Sequence, residues 1–134
     1  MIRLALALIL LALPANAGPI VRVIDGDTYI IAAPWLPPEL GRTMSLRVYG
    51  IDTPEKAGKA KCQREADLGA KATAVARAYI ATAKETTVNL RKWDKYGGRV
   101  VGSVIIDGQS IADLLIGTGL ARPYNGGAKR SWCE

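Results

Sequence analysis

The stretch Leu46–Glu55, LRVYGIDTPE, constrains the fold of this chain more than any other. Leu46, Val48 and Gly50 alternate with Arg47 and Tyr49, the period of a half-buried strand. Gly50 and Pro54 end that strand, and the turn presents Asp52, Thr53 and Glu55. A strand therefore delivers a cation, Arg47, and hands over at once to two carboxylates and a hydroxyl. A second acidic turn, Asp25-Gly26-Asp27-Thr28, lies upstream between apolar runs. Alone, Asp25 and Asp27 would be ordinary hairpin-turn residues, since Asp-Gly is a strong hairpin signal. The second acidic turn gives them another meaning. The chain has no histidine, so acid–base work near neutral pH falls to carboxylates or to a metal-bound water. Carboxylate and carbonyl oxygens suit calcium or magnesium, and arginine forks suit phosphate oxygens. The two turns and the nearby arginines suggest a hard divalent cation facing a phosphate. Without that cation, Asp27, Asp52 and Asp25 are expected to crowd like charges.

One domain is expected from 134 residues, and a formal net charge of +6 fits an anionic partner without demanding one. Met1–Arg3 is a short basic head, Leu4–Leu13 an unbroken apolar run, and Ala15-Asn16-Ala17 a small-residue site. This predicts a secretory signal over 1–17, cleaved after Ala17. The apolar run falls short of the ~20 residues a spanning helix needs. The expectation is an exported domain over 18–134, periplasmic or secreted, monomeric, with no stable membrane association once the signal is removed. An oxidising compartment favours pairing the two cysteines, Cys62 and Cys133. They are too few for a zinc site, and no histidine could complete one.

Along the chain, Ile20–Ile24 and Thr28–Ala33 read as two strands forming a hairpin or a sharply bent pair. Pro34–Arg42, with three prolines and a glycine, is a loop whose Trp35 is either a hydrophobic plug, the commoner case, or a surface patch. Thr43–Tyr49 is the central strand, followed by a short basic loop, Lys56–Lys61. From Cys62 to about Ala83, Leu68, Ala72, Val75, Ala76, Tyr79 and Ile80 recur at helical spacing, with Glu65, Lys71 and Arg77 off that stripe. Glu85–Arg91 is a strand with Val88 and Leu90 on one face, Lys92–Gly98 a polar turn, and Arg99–Ile106 a strand. Ser110 is an N-cap for a short helix that Gly117 and Gly119 stop. Ala121–Glu134 reads as irregular, tied down by Cys133. Five strands, a long helix between the third and fourth, and a short helix after the fifth give a mainly β, α+β layout: the five-stranded oligonucleotide-binding-fold barrel.

The ordered set Asp25-Gly26-Asp27-Thr28, Arg47 five residues before Asp52, Asp52-Thr53-Pro54-Glu55 and Asp94-Lys95-Tyr96-Gly97 resembles the staphylococcal nuclease (thermonuclease) family. The similarity covers nearly all of Ile20–Tyr124. It implies a calcium-dependent phosphodiesterase on an oligonucleotide-binding barrel, acting on DNA and/or RNA and leaving 3′-phosphate ends. Carried over residue by residue, it implies that Asp27 and Asp52 bind Ca2+ through carboxylates and Thr53 through its backbone carbonyl. Glu55 would be the general base or hold the attacking water, and Arg47 and Arg99 would hold the phosphate. Lys95, Tyr96 and Tyr124 would line the nucleotide site. The family turn usually runs tyrosine-glycine-arginine, whereas here Gly98 intervenes before Arg99. In a second register Arg91 or Lys95 would supply the second cation. The chain also ends before the family's long C-terminal helix, and a Cys62–Cys133 staple would be this branch's own. The alternative function is an inactive module that binds nucleic acid or an acidic partner without cutting it.

Overall fold

Alternating β-branched and polar residues build three consecutive antiparallel strands: β1 (Ile20–Val23), β2 (Thr28–Ala32) and β3 (Thr43–Val48). The computed structural model describes residues 18–134, so the expected signal peptide lies outside the described residues. A two-residue strand, β4 (Ile51–Asp52), leads through the basic loop into helix α1 (Gln63–Thr82). Then come β5 (Thr86–Trp93), β6 (Arg99–Ile106), β7 (Gln109–Ser110), helix α2 (Ile111–Gly117) and β8 (Arg122–Pro123). The main sheet runs β1-β2-β3-β6-β5, with β3 and β6 parallel, and it curls into a half-barrel. This is the expected oligonucleotide-binding-type α+β domain. Its core is Tyr29, Ile31, Leu46, Val48 and Val104 from the sheet, closed by Ala72 and Ala76 of α1 and by Ile111 and Leu115 of α2. Leu46 and Val48 point inward on β3, and Val100 and Val104 do so on β6, which leaves Arg47 and Arg99 on the outward faces.

The helix limits match the expected ones because the caps are in the sequence. Cys62 Sγ accepts the Glu65 N–H at 3.3 Å at the start of α1, and Ser110 Oγ accepts the Ala112 N–H at 3.2 Å at the start of α2. Cys62 is also bonded to Cys133, with a Cα separation of 6.0 Å. Two features depart from expectation. β5 continues through Lys92 and Trp93, which pair with Val101 and Val100, so the turn shrinks to Asp94–Gly98. Val88 and Leu90 share one face as expected, opposite Val104 and Gly102, though Leu90 is 47% exposed; the register slips only beyond it, between Leu90 and Lys92. Trp35 is 57% exposed and plugs nothing.

The approach of α1 to the acidic turn is unusually close. A Cβ on Gly69 would overlap the carbonyl of Glu55 and stand 2.8 Å from the Lys56 nitrogen, both of them backbone. Only glycine lets the helix rest there. Gly69→Ala is therefore expected to destabilise by about 1–3 kcal/mol through overpacking, although alanine is the better helix former by about 1 kcal/mol. A melting temperature equal to or above the parent's would show that the helix and the turn are not rigidly apposed.

Candidate active site

Strand pairing brings the two acidic turns together. Thr28 pairs with Arg47, and the Val48 N–H donates to the Asp27 carbonyl at 2.8 Å. The Asp27 side chain, 8% exposed, thus meets the Arg47 guanidinium and forms an ion pair through Nη1. Asp27 Oδ2 also accepts the Thr53 N–H at 3.3 Å, and Asp27 Oδ1 accepts the Thr28 hydroxyl at 3.2 Å. Arg47 Nη2 donates to the Ile51 carbonyl at 3.1 Å, which fixes the fork across the start of the second turn. Gly26 packs on Thr53 so closely that a Cβ would stand 3.0 Å from the threonine side chain.

This pairing divides the charge burden unevenly. Burial pushes the Asp27 carboxyl up, but Arg47 and the surrounding hydrogen bonds outweigh it and hold the group below the usual carboxylate range. Asp25 has no such partner: burial, with the Asp27 charge beside it, pushes its carboxyl up to about 6. The expected crowding is real, but it falls on Asp25. A folded-state value above the ordinary one means that the folded protein holds the extra proton. The stability this confers is complete at low pH and is lost as pH rises through about 6. Asn at position 25 keeps an oxygen for the Asp27 N–H, which Asp25 Oδ1 accepts at 3.1 Å. In chelator, Asp25→Asn is expected to melt above the parent at pH 7.5 and to lose that advantage near pH 4. Equal melting at both pH values would mean that Asp25 carries no penalty.

Asp52 lies one residue from Thr53, yet its carboxylate turns toward the C-terminal segment. Oδ2 accepts the Trp132 indole N–H at 3.0 Å, and Oδ1 faces the Lys129 ammonium at 3.2 Å. Glu55 is held through its backbone: its N–H donates to Glu65 Oε2 at 3.3 Å, while Glu65 Oε1 accepts the Lys61 N–H at 2.9 Å. Glu65 was expected on the solvated face of α1. It is buried instead, because it ties the acidic turn and the basic loop to the helix. Asp52, Thr53 and Glu55 line one cleft of about 380 Å³, which Lys129 also borders.

Arg47 and Arg99 line a neighbouring cleft of about 350 Å³ together with Lys95, Tyr96 and Tyr124. Ser45 pairs with Arg99 and Arg47 with Val101, so the two arginines emerge on the same face of adjacent strands. The extra glycine is absorbed in the turn. The Asp94 N–H donates to the Arg99 carbonyl at 2.8 Å, and Gly97 and Gly98 both take positive φ, +72° and +66°. Asp94 holds the Arg99 fork at 2.7–2.8 Å. Arg91 goes elsewhere, its guanidinium 3.9 Å over the Tyr49 ring, and Lys95 leans toward Tyr96 at 5.1 Å. The Tyr124 hydroxyl donates to the Gly127 carbonyl at 2.7 Å.

The residues chosen from sequence thus fall into two adjoining clefts, a basic one and one of mixed charge, while Asp27 lines neither and is joined to the first through its pair with Arg47. Glu65, Lys129 and Trp132 were missed. Lys129 and Trp132 sit in a tail that looked irregular, and only the proximity of Trp132 to Cys133 hinted that it would be fixed. Among the described residues no three Asp, Glu, Cys or His side chains converge as a ready-made cage for a metal. The oxygens at hand, two buried carboxylates and the Thr53 carbonyl, are nevertheless of the type a hard cation takes, with water completing the shell.

A family model described as staphylococcal nuclease homologue matches residues 45–131. No curated protein matches the chain. The matched span holds Arg47, the Asp52–Glu55 turn, Arg99 and the segment bearing Lys129, while the Asp27 turn lies just upstream. Covering more than half of the sequence, the match shows that the chain belongs to the staphylococcal nuclease homologue family.

Proposed function

We propose that this domain is a calcium-dependent nuclease that hydrolyses phosphodiester bonds of DNA and/or RNA, leaving 3′-phosphate ends, and that it works after export. The family supports a nuclease or a nucleic-acid-binding domain. The observation that favours cutting is the pair of guanidinium groups, Arg47 and Arg99, lining one cleft beside the acidic turn. In-line attack builds negative charge on the equatorial phosphate oxygens, and two fixed forks oppose that charge more in the transition state than in the ground state. Glu55 takes the proton of the attacking water. Asp27, Asp52 and the Thr53 carbonyl would hold the calcium ion, which when bound supplies Lewis-acid charge opposite a phosphate oxygen. Lys95, Tyr96 and Tyr124 line the nucleotide side of the cleft.

A second reading has an observation of its own. Arg47, Arg99 and Asp52 are each already neutralised within the chain, by Asp27, Asp94 and Lys129. A module that only binds nucleic acid would tolerate that state. Plasmid nicking with calcium and then with chelator separates the two. Calcium-dependent cutting supports the enzyme, and retardation on a gel without cutting supports the binding module. A protein that neither cuts nor retards the plasmid overturns both readings. Export is checked by the N-terminus of protein recovered outside the cytoplasm, expected at Gly18.

A further inference from the structure

Asp52 is the only presumed cation ligand whose two carboxylate oxygens are both engaged by the far end of the chain. Trp132 holds Oδ2 across 80 positions of sequence, and Lys129 holds Oδ1. The segment that carries them is fixed at four places. Arg122 and Pro123 pair with Asp52 and Ile51 in the β4–β8 ladder. The Tyr124 N–H donates to the Gly50 carbonyl at 2.8 Å. The Arg122 guanidinium lies 3.7 Å over the Trp132 ring and donates to the carbonyls of Arg130 and Ser131 at 3.2 and 2.8 Å. Cys133, next to Trp132, is bonded to Cys62 at the start of α1.

The two donors differ in kind. Trp132 is 7% exposed, and its indole N–H is a neutral donor clamped under Arg122. The Lys129 side chain is 48% exposed on a flexible stem, with its ammonium 5.5 Å from the Tyr124 ring. It borders both the basic cleft and the one that holds Asp52 and Glu55. A buried carboxylate with no cation nearby is costly, and Lys129 removes that cost in the metal-free protein. A fixed neutral donor on one oxygen of a ligating carboxylate orients the other toward the metal.

We propose that the disulfide-latched C-terminal segment is part of the cation site: Trp132 is a positioning residue that aims Asp52, and Lys129 is the resident counter-ion that an incoming divalent cation displaces. This rests on the reading of Asp52 as a cation ligand. The two side chains then act in opposite directions. Trp132→Phe keeps the ring beneath Arg122 but removes the donor, and it is expected to weaken calcium binding by about 10–100-fold, the usual effect of losing such a supporting bond. Lys129→Ala removes a competitor and a like charge, and it is expected to tighten calcium binding by roughly tenfold. The same change lowers the melting temperature without metal, because Asp52 loses its partner.

The test is calorimetric titration of calcium chloride into the oxidised full-length mature chain and the two variants, with melting curves recorded in chelator. Opposite shifts in affinity support the proposal, since a merely structural role would weaken binding in both. Parental affinity in both variants, or weaker binding in Lys129→Ala, overturns it. Lys129 is exposed, so that arm stands even if Trp132→Phe fails to fold. A parent protein that binds no calcium overturns the reading of the metal site and this inference with it. A parent that binds calcium, with both variants unchanged, overturns this inference alone.

Discussion

Arg99→Ala is expected to lower turnover at saturating calcium by more than ~10²–10³, the usual loss for one transition-state donor, because this donor is charged. Arg91→Ala is expected to stay near the parental rate. The two arginines start and end the same stretch of hairpin, but their surroundings differ. Arg99 begins β6 on the outward face and shares a cleft with Arg47. Arg91 falls at the β5 bulge and covers Tyr49. Asp94 holds the Arg99 fork in plane, so lysine, a point charge without the fork, should substitute poorly. The fold should not suffer. The Arg99–Asp94 pair sits at a partly exposed turn, where such pairs contribute about 0–1 kcal/mol. Turnover and melting temperature measured on Arg99→Ala, Arg99→Lys and Arg91→Ala decide the matter. A crippled Arg91→Ala beside a near-normal Arg99→Ala would assign the second phosphate contact to the other register.

Reducing the disulfide is expected to produce the largest loss of stability. Cys62 and Cys133 are 71 positions apart, and in the chain-entropy account a loop of that size is worth about 4 kcal/mol as an upper figure. Domains of this size have only about 5–15 kcal/mol in total. The native-state losses run the same way, since Cys62 Sγ caps α1 and Cys133 adjoins the buried Trp132. The expected result is a fall in melting temperature of about 10–20 °C on adding reductant, and a similar fall in the Cys62→Ser/Cys133→Ser variant. A change of only a degree or two in both would show that the β4–β8 ladder and Trp132 hold the tail without the covalent link. Two titratable thiols in exported protein would refute the pairing in its native compartment.

The main strands and both helices were legible because each carries its own period and its own cap. Leu46 and Val48 against Arg47, or Ser110 before Ile111, need no partner to be read. The two-residue strands were not legible, since a pair such as Ile51–Asp52 with Arg122–Pro123 has no period and exists only through its partner. Glu65 shows the same limit within a well-read helix. Its position off the apolar stripe is what a solvated residue shows, and its two bonds to Lys61 and Glu55 depend on how the loop folds back. The charge balance of the acidic turns was half legible. The abundance of carboxylates was plain, but that Arg47 answers Asp27 follows from the β2–β3 register, and that Lys129 answers Asp52 follows from the latched tail. The bulge itself was not legible: one extra residue at Arg91 breaks the alternation for Lys92 and Trp93, which were read as turn.

That bulge bears on how copies of the chain meet. β5 is eight residues long and, among the described residues, pairs only with β6, so its other edge is free. A straight free edge of that length is a template for an intermolecular sheet. Here the ladder slips between Leu90 and Lys92, and Gly102 across from it admits the Asn89 carbonyl where no side chain would fit. The slip twists the strand at its middle and sets two adjacent cations, Arg91 and Lys92, along it. A strand from a second molecule would meet a broken row of donors and acceptors and a doubled positive charge. The kink that lays Arg91 over Tyr49 is thus also a guard against aggregation.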